Sequence, residues 1–196
     1  MRIPSKLALA AAFLLFAAVS AATSIRAASV DQQQTSGDHY AFGALTSGGS
    51  TPRTVCQSFV PTASELTRID LTLGTYSTYS SLRDVEVFLS SGACKGASGS
   101  QIVLSHQLTP AEYDALSGGT SQPLAKHLLQ WDFPTIEVVP GTTYYLGIRQ
   151  LDACSGCLAT LVAAPSAYAS GAFRSGTWSD FYNEDASRDL WFATYA

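Results

Sequence analysis

TTYYLGIR, residues 142–149, is the stretch that decides the fold class of this chain. It is rich in Thr, Tyr, Leu and Ile, and β-branched and aromatic residues of this kind favour extended backbone. Pro140-Gly141 immediately precedes it, and that pair is typical of a tight turn. A turn followed by eight residues of this composition predicts a β-strand that begins just after a reversal of the chain.

Strand signals of the same kind recur at short spacing on both sides of this segment. In 66–73 and 82–89 apolar residues alternate with polar ones, and period two predicts one buried and one wet face. The other predicted strands are 55–60, 102–108, 128–133, 135–139, 157–163, 171–174 and 190–195. Short strands in this number, joined by polar turns, predict an all-β antiparallel sandwich or barrel. One short helix is expected to begin at 109–112, because Thr109 suits an N-cap, proline follows it and Glu112 stands at the third helical position, and to end at Gly118 or Gly119.

The N-terminus has the layout of a secretory signal peptide. Arg2 and Lys6 precede an apolar run from Leu7 to Val19, and small residues follow it. The run is about 13 residues long, which is shorter than the roughly 20 that span a bilayer. We expect residues 1–28 to be removed, with cleavage somewhere after 21–28, and the protein to be secreted and extracellular. No membrane span is expected after processing.

The processed chain fits a single domain. Cleavage at 28 or at 21 leaves 168 or 175 of the 196 residues, enough for one sizeable core. Residues 29–53 are expected to form a loose entry segment and a first edge strand, and residues 54–196 the β-sandwich domain. Without Arg2, Lys6 and Arg26, eight of the 11 basic residues remain against 15 acidic ones, a charge of about −7. A chain this acidic, with no basic cluster, is a poor partner for nucleic acid or anionic membrane.

Four cysteines indicate disulfide bonds in an oxidising compartment. They are Cys56, Cys94, Cys154 and Cys157, and four cysteines allow three connectivities. We favour Cys154–Cys157 as a small loop clip and Cys56–Cys94 as the longer link. The residues around Cys154 and Cys157 are typical of a strand–loop–strand, whereas a redox CxxC usually starts a helix. A single CxxC is also weak evidence for zinc.

Candidates for catalysis are few. His39, His106 and His127 lie in no nucleophile motif such as Gly-x-Ser-x-Gly. The acidic residues of 180–185 lie among aromatic ones, and glycosidases use carboxylate pairs in such surroundings. A solvated acidic loop is the more common interpretation of this pattern. We therefore expect no enzymatic activity and assign no catalytic residue.

The best candidate for a binding site is the segment 172–185, which is loop-like and combines aromatic with polar residues. A flat ring stacks on the C–H face of a sugar while charged groups bond its hydroxyls, and small-ligand sites use such mixtures. The candidate stacking and polar residues are Trp178, Phe181, Tyr182, Arg174, Asp180 and Asp185. In the alternative interpretation, the rings cap the end of the core.

Strand and turn motifs follow one another in a characteristic order. They are Gln57–Thr62, Leu66–Leu71, Val138–Leu146, Tyr168–Gly171 ahead of Trp178, and Asp189–Tyr195. This order resembles bacterial secreted jelly-roll domains of the galactose-binding-like and carbohydrate-binding-module type. The resemblance implies an antiparallel jelly-roll sandwich that binds glycans. Such modules often hold a structural calcium ion between their terminal strands, for which Asp31 and Asp189 are the candidate ligands.

The sequence thus predicts a secreted, non-enzymatic module that binds carbohydrate or glycoconjugate. Two alternatives stay open, since fold analogy does not establish function. One is a structural or adhesive extracellular protein that contacts a surface protein through an exposed β face, with Trp131, Tyr145 and Trp191 contributing if they face outward. The other is a small glycan-active hydrolase.

Overall fold

A computed structural model of the chain describes residues 28–35, 39–41, 53–75, 85–109, 112, 125–150, 158–163, 168–169, 171–177, 180–185 and 188–196. In these ranges the regular elements are thirteen β-strands. Their bounds are β1 Val30–Gln34, β2 His39–Ala41, β3 Arg53–Phe59, β4 Glu65–Thr75, β5 Val85–Ser91, β6 Gln101–Gln107, β7 Ala125–Glu137, β8 Tyr144–Gln150, β9 Leu158–Ala163, β10 Phe173–Thr177, β11 Asp180–Asp185, β12 Asp189–Leu190 and β13 Phe192–Tyr195.

The strands build two sheets, and every described pairing is antiparallel. Sheet B has six strands in the order β11–β10–β3–β8–β5–β6. Sheet A has seven, in which β7 follows one edge of the long strand β4 while β13 and β9 share its other edge. Beyond them, β1 pairs with β13, and β2 and β12 pair with β9. The predicted all-β antiparallel architecture of two packed sheets is confirmed.

The turn before β8 has the predicted form. The amide of Thr142 donates to the carbonyl of Val139 at 3.1 Å, and Gly141 between them has a φ of 80°. A positive φ at the third position of a turn is typical of type II and favours glycine there. In β8 itself, Leu146 and Ile148 are buried in the core while the intervening Gly147 lies on the other face.

Residues 125–137 form one strand, not two. The prediction of separate strands at 128–133 and 135–139 is wrong, because β7 is continuous and pairs with β4 both before and after residues 133–135. The pairing shifts between Leu66 and Arg68, so that the residues around Pro134 lie at an irregularity. Proline lacks an amide donor and is tolerated at such a bulge on an outer strand.

The core lies between the two sheets and is filled from alternate positions of their strands. Its largest fully buried side chains include Phe59 and Phe192, whose ring centroids are 5.9 Å apart. The ring of Tyr168 meets Phe192 edge-on at 5.2 Å. Trp131 belongs to this core, with only 7% of its surface exposed. It therefore does not face outward, as the adhesive alternative would need.

A buried polar bridge joins the two sheets. Gln57 of sheet B accepts a hydrogen bond from the amide of Leu190 in sheet A at 2.9 Å, and its side-chain amide donates to Asp189 at 3.4 Å. The other carboxylate oxygen of Asp189 accepts from the amide of Tyr168 at 2.7 Å. Gln57 and Asp189 are both fully buried. Because buried polar groups are costly unless paired, this bridge specifies how the sheets align.

Replacing Asp189 by alanine should destabilise the protein by about 3 kcal/mol, because two buried donors, on Gln57 and Tyr168, would lose their acceptor. Equilibrium unfolding in urea measures the change. Glu137→Ala is the control, since it removes an exposed carboxylate that lies opposite Glu65. Equal losses in the two variants would contradict a role for the buried bridge.

The N-terminal prediction concerns residues that the structure does not describe, apart from its last position. From there the chain enters sheet A directly, since Ser29 and Ala196 exchange two backbone hydrogen bonds of 3.0 and 2.9 Å. The described part of the chain contains no helix that is long and apolar enough to cross a membrane.

Candidate functional site

The predicted binding segment is a β-hairpin at one edge of sheet B. The strand predicted at 171–174 overlaps the start of β10, but the loop predicted for the remainder of 172–185 is wrong for 175–177 and 180–185. There β10 pairs with β3 on one side and with β11 on the other. These ladders hold the polar sequence extended, with Phe173 buried in the core. Thr177 pairs with Asp180, so the hairpin connection is two residues long. Trp178 belongs to this connection and lies outside the described residues.

A β-bulge interrupts the hairpin at its predicted aromatic positions. Ser175 is opposite Asn183 and Gly176 is opposite Phe181, so Tyr182 has no partner on β10. Bulges break the strict alternation of a strand and re-aim the residues beside them, often next to binding sites. The backbone therefore puts Phe181 and Tyr182 at an irregular point of the last described strand of sheet B.

Arg174 is the predicted site residue whose surroundings are described in most detail. It follows the buried Phe173 in β10 and so lies on the outer face of sheet B. Its guanidinium carbon is 5.8 Å from the centroid of the Tyr145 ring, within the range of a cation–π contact. Arg174 and Tyr145 are both half-buried, and the cross-strand neighbour of Arg174 on β11 is Glu184.

A disulfide fastens a loop onto the same outer face. Cys56 of β3 is bonded to Cys94, which confirms the predicted longer link. Phe88 is buried with the two cysteines, and Tyr145 packs against this cluster. The residues after β5 therefore lie against sheet B next to Arg174. The second predicted pair, Cys154–Cys157, lies outside the described residues.

An ion-pair cluster continues this face toward β5. Glu86 forms salt bridges with Lys95 from the disulfide-bonded loop and with Nη1 of Arg149 at 3.6 Å. Burial lowers the pKa of the Arg149 guanidinium, and the charge of Glu86 opposes that shift. All three side chains are largely shielded from water, so they are less accessible to a ligand than the half-buried Arg174.

On the outer face of sheet A, the polar groups of Arg68, Asp70 and Tyr195 bind one another. Arg68 holds Asp70 through two contacts of 2.9 and 3.1 Å and lies 3.8 Å above the ring of Tyr195. The hydroxyl of Tyr195 donates to the same carboxylate at 2.9 Å. These three groups satisfy one another, so the face they form is a weaker candidate for a ligand.

The two predicted calcium ligands take part in hydrogen bonds. One oxygen of Asp31 accepts from the amide and hydroxyl of Thr62, at 2.9 and 2.6 Å, and from the amide of Ala63 at 2.8 Å. Asp189 accepts the buried bonds described above. No group of three or more His, Cys, Asp or Glu side chains that would hold a metal occurs among the described residues. The calcium site stays a prediction.

The hydrogen bonds of the predicted capping box are in place, and His106 of β6, which the sequence did not favour as a catalytic residue, contacts them. Thr109 and Glu112 exchange the reciprocal bonds of a capping box, at 2.7 and 3.2 Å. The backbone bond from Thr109 contributes most to lowering the pKa of Glu112. His106 lies 3.0 Å from the same carboxylate and stacks on Trp131 at 6.3 Å. The rest of the predicted helix lies outside the described residues, as do the side chains of the other two histidines.

An open depression of about 390 Å³ lies at the end of sheet A where β4 begins and β7 ends. It is lined by Ser64, Glu65, Glu137, Val138 and Val139. Glu65 and Glu137 are directly opposite each other on β4 and β7, an arrangement of like charges that disfavours the pairing. None of the predicted site residues lines it, so it does not bear on the hairpin site.

Family models, curated proteins and solved structures were compared with this chain. None of them matches it. The function is therefore argued from the chemistry of the site itself. At the β10–β11 edge the chain offers a guanidinium beside a ring, acidic positions at both ends of β11 and aromatic positions at the bulge.

Proposed function

We propose that the chain is a secreted, non-enzymatic module that binds a carbohydrate or glycoconjugate at the β10–β11 edge of sheet B. The observation that carries the proposal is the half-buried Arg174 guanidinium against the Tyr145 ring on the outer face. A guanidinium offers several fixed donors to neighbouring hydroxyls, and a ring packs against C–H groups. Sugars present both kinds of surface to a binding site.

The hairpin supplies the remaining groups in the proposal. Trp178 in the connection, with Phe181 and Tyr182 at the bulge, would stack on the sugar. Asp180 and Asp185 at the ends of β11 would accept hydrogen bonds from its hydroxyls, while Arg174 donates. The bulge supports this assignment because it frees the two adjacent aromatic positions from regular alternation.

Export and the finer fold are part of the same proposal. The signal peptide at residues 1–28 would deliver the chain to an oxidising compartment, and the Cys56–Cys94 disulfide is in keeping with that location. The two antiparallel sheets are compatible with the jelly-roll connectivity that the resemblance implies. Connectivity and family remain proposals.

The spacing of the acidic residues favours binding over hydrolysis. Because of the bulge, Asp180 and Asp185 lie opposite Thr177 and Phe173, which are four positions, or roughly 13 Å, apart in extended backbone. The two carboxyl groups of glycosidases are separated by about 5 to 9.5 Å. This pair is therefore too widely spaced for the acid and base of a glycan-active hydrolase.

The adhesive alternative has less aromatic surface than the sequence predicted. Trp131 is buried, and the indole N–H of Trp191 donates to the carbonyl of Thr35 at 3.0 Å. Tyr145 packs against the disulfide and Arg174. These contacts leave the hairpin edge as the better-supplied surface for a ligand.

A glycan array followed by calorimetry with the best-bound glycan tests the proposal. Arg174→Ala and Trp178→Ala should each weaken binding at least about tenfold, or about 1.4 kcal/mol, because each removes a direct contact. Arg188→Ala is the matched control, since it removes the same charge from an exposed position ahead of β12. It should bind as the unmodified protein does.

Three outcomes would overturn the assignment. Glycan binding that neither variant alters would remove the site. Sugar turnover that Asp180→Asn or Asp185→Asn abolishes would establish a hydrolase. Capture of a surface protein that free glycan does not compete for would establish the adhesive alternative.

A further inference from the structure

The opposite end of sheet B is an exposed strand edge. β6 pairs with β5 and with no other described strand. Five of its seven residues are exposed, among them Ile102 at 45% and Val103 at 37%. Removing two adjacent apolar side chains of this size from water lowers the free energy, so they mark a surface that favours contact with a partner.

The two edges of sheet B differ in charge. The sequence of β6, QIVLSHQ, contains no Lys, Arg, Asp, Glu or Pro. The other edge, β11, carries three acidic residues in DFYNED. Charges and prolines are the usual protection of an edge against pairing, so β11 is protected and β6 is not. A strand without charge can also pair with its own copy, because like charges do not meet.

The sequence of β6 suits antiparallel pairing with a second copy about a twofold axis. Full overlap of the seven residues puts Leu104 opposite its own copy on the axis. His106 then lies opposite Ile102 and does not meet another histidine. Leu104 packs against the hydrophobic core, so the two cores would become continuous through the axis. Such a closed interface uses the same surface on both partners.

We propose that β6 joins two copies of this chain edge to edge in a homodimer. The two six-stranded sheets then form one continuous sheet. The association is weak and reversible, for two reasons. A strand pair of this length buries less than the roughly 1,200 Å² of a standard interface. The pairing with β5 also shifts beside Ser90, which leaves Val103 in a bulge next to Leu104, so that the edge is irregular on both sides of the axis.

The dimer would leave both glycan sites free. The strand order puts β6 and the β10–β11 hairpin at opposite ends of sheet B. With strands about 4.8 Å apart, the two hairpins of a dimer would be roughly 50 Å from each other. This consequence rests on the proposed function: two sites on one particle would bind a multivalent glycan surface more tightly than one site does.

Sedimentation equilibrium of the processed protein tests the dimer. Its weight-average mass should rise toward twice the monomer mass as the concentration increases from about 1 to about 500 µM. Val103→Lys should shift the midpoint of this rise at least about tenfold upward, because two lysines would approach each other next to the axis. Val139→Lys is the control, since Val139 is also exposed, at 60%, and lies in the turn before β8.

The test separates the dimer from the glycan site. A protein that stays monomeric over the whole range, or a dimer that Val103→Lys does not weaken, overturns the proposal. Thermal melting of both variants checks that they fold. Monomeric Val103→Lys should still bind a soluble monovalent glycan, so a failure of glycan binding counts against the site and leaves the sedimentation result unaffected.

Discussion

Gly147→Ala is expected to destabilise the protein by about 4 kcal/mol, because the centre of sheet B has no room for a methyl group. A Cβ at this position would lie 2.4 Å from the carbonyl oxygen of Val55, 2.5 Å from Cζ of Phe88 and 2.8 Å from Cβ of Cys56. One of these atoms belongs to the backbone of β3, which is paired on both sides and cannot retreat. The strands or the disulfide cluster would have to move.

Equilibrium unfolding in guanidinium chloride measures this loss. Ser105→Ala is the matched control, because Ser105 and Gly147 are the two cross-strand neighbours of Phe88 and Ser105 is exposed. It should change the free energy of unfolding by less than about 0.5 kcal/mol. A Gly147→Ala protein as stable as this control would mean that β8 and β5 are not packed as described.

Strands that are marked by local features, such as composition, turn residues or alternation, could be predicted from the sequence. The strand predicted over 142–149 is present at Tyr144–Gln150, and Thr142 closes the predicted turn before it. Both could be predicted because turn chemistry and composition are local properties. The alternation at 66–73 was also sufficient to locate β4, since Ile69 and Leu71 lie in the core, although Asp70 and Thr72 on the other face are buried as well. The single strand β7 was missed, because Pro134 normally ends a strand and only its pairing with β4 shows that it continues.

The sequence indicated which residue types the candidate site contains, but it did not predict that they lie on a β-hairpin. Ser, Gly, Asp and Asn around Trp178 favour a loop, and it is the ladders with β3 and β11 that hold 173–177 extended. The contact of Arg174 with Tyr145 joins residues from β10 and β8, which no spacing in the sequence connects. The need for glycine at 147 has the same origin, because it arises from the neighbours of β8 in the sheet.

Removing the long disulfide is the second change with a large expected effect. In Cys56→Ala/Cys94→Ala, the unfolded chain regains the freedom of a loop with a sequence separation of 38. The loop-entropy relation gives a loss of about 4 kcal/mol for that length. The buried packing of the cluster with Phe88 and Tyr145 adds to the effect. Since Tyr145 also contacts Arg174, the double variant should weaken glycan binding as well.

A second double variant separates the effect of this link from the loss of cysteine in general. Cys154→Ala/Cys157→Ala removes the other predicted pair, which would close a loop of only about three residues and contribute under about 2 kcal/mol by the same relation. Urea unfolding of both double variants should therefore rank the Cys56–Cys94 link well above the short one. Equal losses would mean that loop length does not govern the effect. A negligible loss for Cys56→Ala/Cys94→Ala would mean that the Cys56–Cys94 disulfide contributes little to the free energy of unfolding. The two sheets and the bridge of Gln57 and Asp189 would then account for the stability, because those contacts remain in the variant.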